Sequence, residues 1–203
     1  MKSGKKALLL ALCAVLLVAA TVMGTMAYLT STDTVTNTFT IGNVAITLDE
    51  AKVDVNGTAV TPAERVKANT YKLMPGHSYT KDPTVHVTAG SEDSWIFVKV
   101  ENGIANFEAS TVEGGYKTIA DQITDNGWTA LKDVAGVYYK KYTKGADAVD
   151  LKVFDNFKIA DDANTMTGWS SISADTTKVT VTAYAIQFDG FADAEAAWKA
   201  FDA

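Results

Sequence analysis

Two histidines, His77 and His86, are the first residues in this chain to test for metal or acid–base chemistry. They lie nine residues apart, and no His-Glu-x-x-His motif accompanies them. A catalytic zinc site usually has three protein ligands and a nearby general base. We predict that His77 lies in a turn after Pro75-Gly76, and that His86 faces away from the valines on either side of it. The pattern favours two exposed or hydrogen-bonded histidines over a metal centre.

Other catalytic signatures are also missing from the sequence. The only cysteine, Cys13, lies in an apolar N-terminal stretch, and there is no Gly-x-Ser-x-Gly motif. Acidic loops at 121–127 and 161–164 contain Asp and Asn but do not have EF-hand spacing. Calcium at one of these loops is the alternative to our expectation of no cofactor. We predict that the chain is not an enzyme and has no catalytic or metal-ligating residues.

The aromatic residues allow another interpretation, a surface module that binds glycans. Four tryptophans and a tyrosine-rich segment at 138–142 could form a carbohydrate platform, although most of them are expected in the core. The 138–142 segment places aromatic residues on both faces with lysines beside them, which is typical of an exposed strand. A monomeric adhesin is therefore one alternative function.

The N-terminus has the three parts of a secretory signal peptide. Three lysines precede residue 7, no charged residue occurs from 7 to 23, and small residues follow. Thr25 and Ala27 fit the −3 and −1 positions of a signal peptidase site, so cleavage is predicted between Ala27 and Tyr28. A retained membrane anchor is the alternative, because the apolar stretch approaches the length that spans a bilayer.

Cleavage there divides the chain into a signal peptide, 1–27, and one exported domain, 28–203, of 176 residues. Loss of the three lysines changes the formal net charge from −6 to −9. Such an acidic domain repels nucleic acid and anionic membranes, so nucleic-acid binding is not expected, and the membrane is contacted only through an uncleaved signal.

The first segment of the exported domain has strict two-residue periodicity. Threonine occupies every even position from 30 to 40. The opposite face carries its apolar residues mainly towards its ends: Leu29, Val35, Phe39 and Ile41. This pattern predicts an extended strand at 28–41 that is weakly held by its own domain.

The remaining sequence predicts many short strands. Asn56-Gly57 indicates a hairpin, and the apolar run at 94–101 indicates a central strand. A strand is also expected at 179–188, and an imperfectly alternating segment at 150–159 suggests another. Short helices are predicted at 118–124 and after Asp193. The fold class is therefore all-β, a jelly-roll-like β-sandwich with one or two short helices, preceded by a cleaved signal helix.

Two stretches carry a family resemblance. The run from Gly24 to Thr30, followed by 38–48, resembles the SipW-type signal peptide and first strand of the TasA/camelysin family of Gram-positive bacteria. The turn formed by Leu73, Met74, Pro75 and Gly76, with Lys81-Asp82 after it, is similar to that family's Leu-x-Pro-Gly turn. The resemblance covers about residues 1–100.

This resemblance implies a secreted jelly-roll protein of the cell surface or biofilm matrix, processed by a SipW-type signal peptidase. In fibre-forming members, the segment freed by cleavage completes the sheet of the next subunit, which is β-strand addition. The matching segment here is 28–41, with a homo-polymer or a related surface subunit as the partner. Because camelysin-like members have been described as metalloproteases, a metal-dependent peptidase is the other alternative.

Overall fold

The computed structural model describes residues 4, 6, 12–16, 43–109, 116–173 and 177–201. Residues 1–41 and 42–203 form two separate compact units. In the first unit, residues 4, 6 and 12–16 are helical. No helix within the described ranges is long and apolar enough to cross a bilayer.

The described part of the second unit is mainly β, with antiparallel sheets and a few short helices. Its strands in chain order are β1 (Ile46–Ala51), β2 (Arg65–Val66), β3 (Ser78–Thr80), β4 (Thr84–Val87), β5 (Ser94–Asn102), β6 (Thr129–Ala130), β7 (Val137–Tyr142), β8 (Val149–Lys152), β9 (Asn156–Lys158) and β10 (Val179–Gln187). This confirms the mainly-β prediction.

Two four-stranded sheets carry most of the pairing. One has the order β2-β1-β4-β8 and the other β10-β5-β7-β6. Strand β5 pairs along its whole length with β10, from Ser94 opposite Gln187 to Asn102 opposite Val179. It also pairs with β7 on its other side, so the prediction of a central strand at 94–101 is confirmed.

The segment at 150–159 is two strands rather than one. Strand β8 pairs with β4, whereas β9 pairs with β3 in a separate two-stranded sheet. The chain changes sheets between β8 and β9. At this point the side-chain oxygen of the buried Gln122 accepts hydrogen bonds from the backbone N–H groups of Asp155 and Asn156. The Gln122 side chain thus takes the place of strand-pairing hydrogen bonds between β8 and β9.

The segment at 138–142 is a strand, as predicted, but of its residues only Lys141 is exposed. This segment lies in β7, which pairs with β5 along its whole length and with β6 at Tyr138 and Tyr139. The Lys140 ammonium donates to the Asn126 carbonyl at 2.5 Å and lies over the Trp128 ring, while Lys141 lies over the Phe188 ring. Lysines are tolerated in this strand because their aliphatic parts pack against aromatic rings and their ammonium groups lie over the ring faces.

Both predicted helices are present and begin at capping residues. Helix α1 (Ile119–Asp125) starts with a capping box formed by Thr118 and Asp121, and it buries Ile119 and Ile123. Helix α2 (Ala194–Lys199) starts where the Asp193 side chain accepts the Ala196 N–H. The Asn56-Gly57 turn also forms, with Gly57 at φ +80° and its Cα close to Tyr79, where a Cβ would clash.

Two apolar clusters hold the domain together. The larger joins the first sheet to the second through buried valines and isoleucines, including Val85, Val87, Ile96 and Val98. The smaller forms where α2 packs Trp198 against Phe97 of β5, with ring centroids 5.3 Å apart. The central strand β5 therefore contributes to both clusters, because Ile96 and Val98 lie on one of its faces and Phe97 lies on the other.

Candidate functional site

A groove with a volume of about 630 Å³ lies beside β1, the 67–73 segment and the first residues of β10. Its walls combine apolar side chains with polar groups. The apolar lining includes Leu48, Tyr71, Ile104, Phe157, Val179 and Val181. A groove of this size and composition can take several side chains of an extended peptide.

The outer edge of β10 borders this groove. Backbone hydrogen bonds of the adjacent strand β5 show which residues of β10 direct their N–H and C=O groups outwards. The Val100 N–H donates to the Gly136 carbonyl on the β7 side of β5. Since a residue in an antiparallel strand directs its N–H and C=O to the same side, Val181 opposite Val100 directs both groups away from β5. The Gly103 N–H donates to the Lys178 carbonyl, so Lys178 faces the β5 side and the next residue, Val179, faces outwards. Val179 and Val181 thus present donors and acceptors at an edge where the described residues supply no strand.

The opposite border of the groove is β1. The Thr88 N–H donates to the Ala45 carbonyl, so Leu48 directs its backbone groups away from β4. The Lys67 ammonium donates to the Leu48 carbonyl. A lysine at this position satisfies one acceptor of the edge without forming a strand, which is a common way to protect an open edge.

Three polar side chains form the floor of the groove. The Lys81 ammonium donates to Glu50 Oε2, and Asn69 Nδ2 donates to Glu50 Oε1 at 2.9 Å. Glu50 is 4% exposed and Lys81 8%. Burial raises the pKa of the neighbouring Tyr71 hydroxyl, and the charge of Glu50 raises it further. The floor is therefore a desolvated polar cluster in a mostly apolar setting.

The predicted family turn lies at one end of the groove. Leu73 lines the groove, and Pro75 and Gly76 form a turn with Gly76 at φ +73°. The Gly76 N–H lies within hydrogen-bond distance of the Ile159 and Ala160 carbonyls. The turn thus ties the groove to the chain that follows β9.

His86 forms a cluster with carboxylates on the two strands that flank β4. Its Nε2 lies 2.9 Å from Asp49 Oδ1 on β1, and its Nδ1 lies 2.6 Å from Asp150 Oδ1 on β8. Both ring nitrogens can donate only when the ring is protonated. The hydrogen bond to Asp49, and then that to Asp150, raises the pKa of His86. As predicted, His86 faces away from the buried Val85 and Val87.

We expect this cluster to make the stability of the domain depend on pH. A raised pKa means that the His86 contribution is complete below its ordinary value of about 6.5 and is lost as pH rises through the folded value. Burial alone would raise the pKa of Asp49, but hydrogen bonds from His86 and Arg65 lower it overall. The Asp49 contribution is therefore lost only in acid. Between pH 6 and 8.5, His86→Gln should flatten the fall in unfolding free energy measured by urea titration.

Asp150→Asn provides a graded control for this prediction, because it removes one of the two carboxylates and leaves the ring. It should reduce the slope only in part. An unchanged slope in His86→Gln would exclude this cluster as its source.

The other residues with possible chemistry are dispersed. His77 Nε2 lies 2.9 Å from the Asn56 carbonyl. Of the acidic loop residues, Asp121 caps α1, while Asp125 and Asp161 pair with Lys117 and Lys158. Within the described ranges, no three His, Cys, Asp or Glu side chains are grouped to hold a metal ion. Trp128 and Trp198 are buried in the core.

The cleavage site and the assembly strand lie outside the described residues. These predictions concern Ala27, Tyr28, Leu29, Val35, Phe39 and Ile41. They remain predictions from the sequence. No protein-family model, curated protein or solved structure matches this chain.

Proposed function

We propose that this chain is a secreted structural protein of the cell surface or biofilm matrix of a Gram-positive bacterium. In this proposal its copies, or a copy and a related surface subunit, assemble by N-terminal strand addition onto a jelly-roll-like β-sandwich. The observation that carries the proposal is the outer edge of β10, which no strand among the described residues covers, beside a partly apolar groove.

The occupant we propose for this edge is segment 28–41 of a second copy. Its alternation places Leu29, Val35, Phe39 and Ile41 on one face and threonines on the other. Main-chain hydrogen bonds to the Val179 and Val181 edge would supply affinity, and the apolar side chains would enter the groove. A threonine-rich outer face is compatible with solvent.

Export is supported by the N-terminal sequence. Residues 1–27 combine a basic start, an uncharged stretch and small residues before Tyr28. Cleavage by a SipW-type signal peptidase would free 28–41 as a new N-terminal segment. Residues 12–16, in the middle of the uncharged stretch, are helical, as expected for the apolar part of a signal peptide.

Negative-stain electron microscopy of purified 28–203 and 42–203 tests this proposal. We expect regular filaments for 28–203 and only dispersed particles for 42–203, with the same far-UV circular dichroism for the sheet. Phe39→Thr should weaken assembly because it removes an apolar side chain from the docking face, and Thr38→Ser on the opposite face is the matched control. Filaments of unchanged length from 42–203 would contradict the proposal.

A further inference from the structure

The polar floor of the groove brings together three side chains from separate parts of the chain. Glu50 lies on β1, Asn69 lies in the segment between β2 and β3, and Lys81 directly follows β3. The carboxylate of Glu50 contacts both partners, with Lys81 Nζ on one oxygen and Asn69 Nδ2 on the other. One buried carboxylate thus holds an amine next to a carboxamide.

The orientation of the Asn69 amide is determined by its other neighbours. The Val53 N–H donates to Asn69 Oδ1 at 3.0 Å, and Asn69 Nδ2 donates to the Ala51 carbonyl at 2.8 Å. The reverse orientation would place two donors together at Val53 and two acceptors together at Ala51. The amide nitrogen therefore faces Glu50, and the amide oxygen faces a backbone donor.

These side chains supply the groups that acyl transfer needs. Lys81 supplies an amine nucleophile, and the Asn69 carboxamide carbon is the electrophile. The Val53 N–H is placed to stabilise negative charge on Oδ1 as the carbon becomes tetrahedral. Glu50 contacts both the nucleophile and the leaving nitrogen, so it can move protons between them.

We propose that Lys81 and Asn69 condense into an intramolecular isopeptide bond, with Glu50 as the acid–base group and ammonia as the leaving group. This inference does not depend on the proposed assembly function. It assigns a covalent modification to the chain's own side chains and needs no cofactor.

The reaction balances with these groups alone. The Lys81 ammonium transfers one proton to the Glu50 carboxylate, and the amine lone pair then forms a bond to Asn69 Cγ while the C=O π electrons move to Oδ1. Glu50 gives its proton to Nδ2 and takes one from the attacking nitrogen. When the C=O re-forms, the Cγ–Nδ2 bond breaks and ammonia leaves. The products are a secondary amide, ammonia and a Glu50 carboxylic acid, which returns to the carboxylate when the ammonia departs as ammonium.

The buried location favours this outcome over a permanent ion pair. Two charges removed from water carry a desolvation penalty, which an isolated ion pair does not always offset. The amide is uncharged. Its N–H and C=O would inherit hydrogen-bonding partners that are already in place, the Glu50 carboxyl and the Val53 N–H.

Peptide-level mass spectrometry of a tryptic digest of the full-length chain tests the proposal. An isopeptide bond blocks cleavage after Lys81, so peptide 68–72 should be recovered joined to peptide 73–99, lighter than their sum by one ammonia. Fragmentation should place the junction at Asn69 and Lys81. Peptide-level localisation is required because Asn56-Gly57 and Asn126-Gly127 can also lose ammonia by cyclising.

Two variants and one control make the result specific. Lys81→Arg keeps the positive charge but has no amine that forms this amide, and Glu50→Gln removes the proton carrier. Both should lose the branched peptide completely and yield an ordinary peptide 68–72. Lys67→Arg, at another lysine that lines the groove, should retain the branched peptide.

The chain without substitutions provides the decisive measurement even if a variant fails to fold. The folded chain without substitutions should yield no linear peptide 73–81. Recovery of that peptide in the same molar amount as neighbouring tryptic peptides would overturn the proposal. A branched peptide that persists in Glu50→Gln would overturn the role of Glu50.

Discussion

Val181→Pro is expected to abolish the proposed assembly of the chain while leaving its domain folded. The Val181 N–H points away from β5, because its partner Val100 uses its own N–H towards Gly136. Proline removes this outward donor without removing a bond between β10 and β5. Such a substitution is tolerated on edge strands when the lost N–H faces outwards.

The expected effect on assembly is large for two reasons. Loss of one main-chain hydrogen bond costs about 1 kcal/mol, which is roughly fivefold in each subunit-addition constant. The pyrrolidine ring also occupies the space that a neighbouring backbone would use. A roughly fivefold loss at every contact, together with this steric block, shortens a polymer severely. We therefore expect light scattering to show no growth at concentrations where the chain without substitutions polymerises.

Val181→Ala is the matched control, since it removes more of the side chain but keeps the N–H. Val181 is half-buried against the larger apolar cluster, so the alanine variant should be less stable yet still assemble. Equal assembly by the proline and alanine variants would show that the β10 edge is not the acceptor.

Trp128→Ala is expected to cause the largest loss of stability that we predict. Trp128 is 2% exposed, and its indole N–H donates to the Lys152 carbonyl at 2.8 Å. Truncation leaves a cavity and an unpaired carbonyl, so the free energy of unfolding should fall by about 3–5 kcal/mol. The midpoint of thermal unfolding should fall on the order of 10 °C for a domain of this size.

Trp128→Phe separates the two contributions. Phenylalanine fills most of the space but donates no hydrogen bond, so its cost should be about 1–2 kcal/mol. Urea titration followed by circular dichroism measures both variants. A loss below about 1 kcal/mol for Trp128→Ala would mean that the surrounding side chains close the cavity.

Local signals in the sequence predicted several elements well. The isoleucines at 119 and 123 indicated α1, and Asp193 indicated the start of α2. The continuous apolar character of 94–101 indicated a central strand, and β5 is paired on both sides. In each case the information lies within a few neighbouring residues, where periodicity and capping operate.

Features that depend on pairing between distant segments could not be predicted. The segment at 150–159 reads as one imperfect strand, because nothing local reveals that Gln122 binds its backbone at the break. The lysines of β7 suggested exposure, since their aromatic contacts come from other elements. Propensity is overridden here by tertiary contacts.

The two polar clusters were missed for the same reason. Glu50, Asn69 and Lys81 are separated by up to 31 residues, and Lys81 was noted only as part of a family-like motif. His86 was correctly predicted to face away from the valines, but its register against Asp49 and Asp150 follows only from the order of β1, β4 and β8. Strand order is not encoded in any short motif.

The nine-residue pairing of β5 with β10 has a mechanical consequence. If a neighbouring copy docks along the outer edge of β10, tension in a filament acts parallel to the strands and shears β10 lengthwise against β5. Shear must break the whole ladder together, whereas a sideways force peels one hydrogen bond at a time. A filament built in this way would resist stretching far better than it would resist peeling from its side.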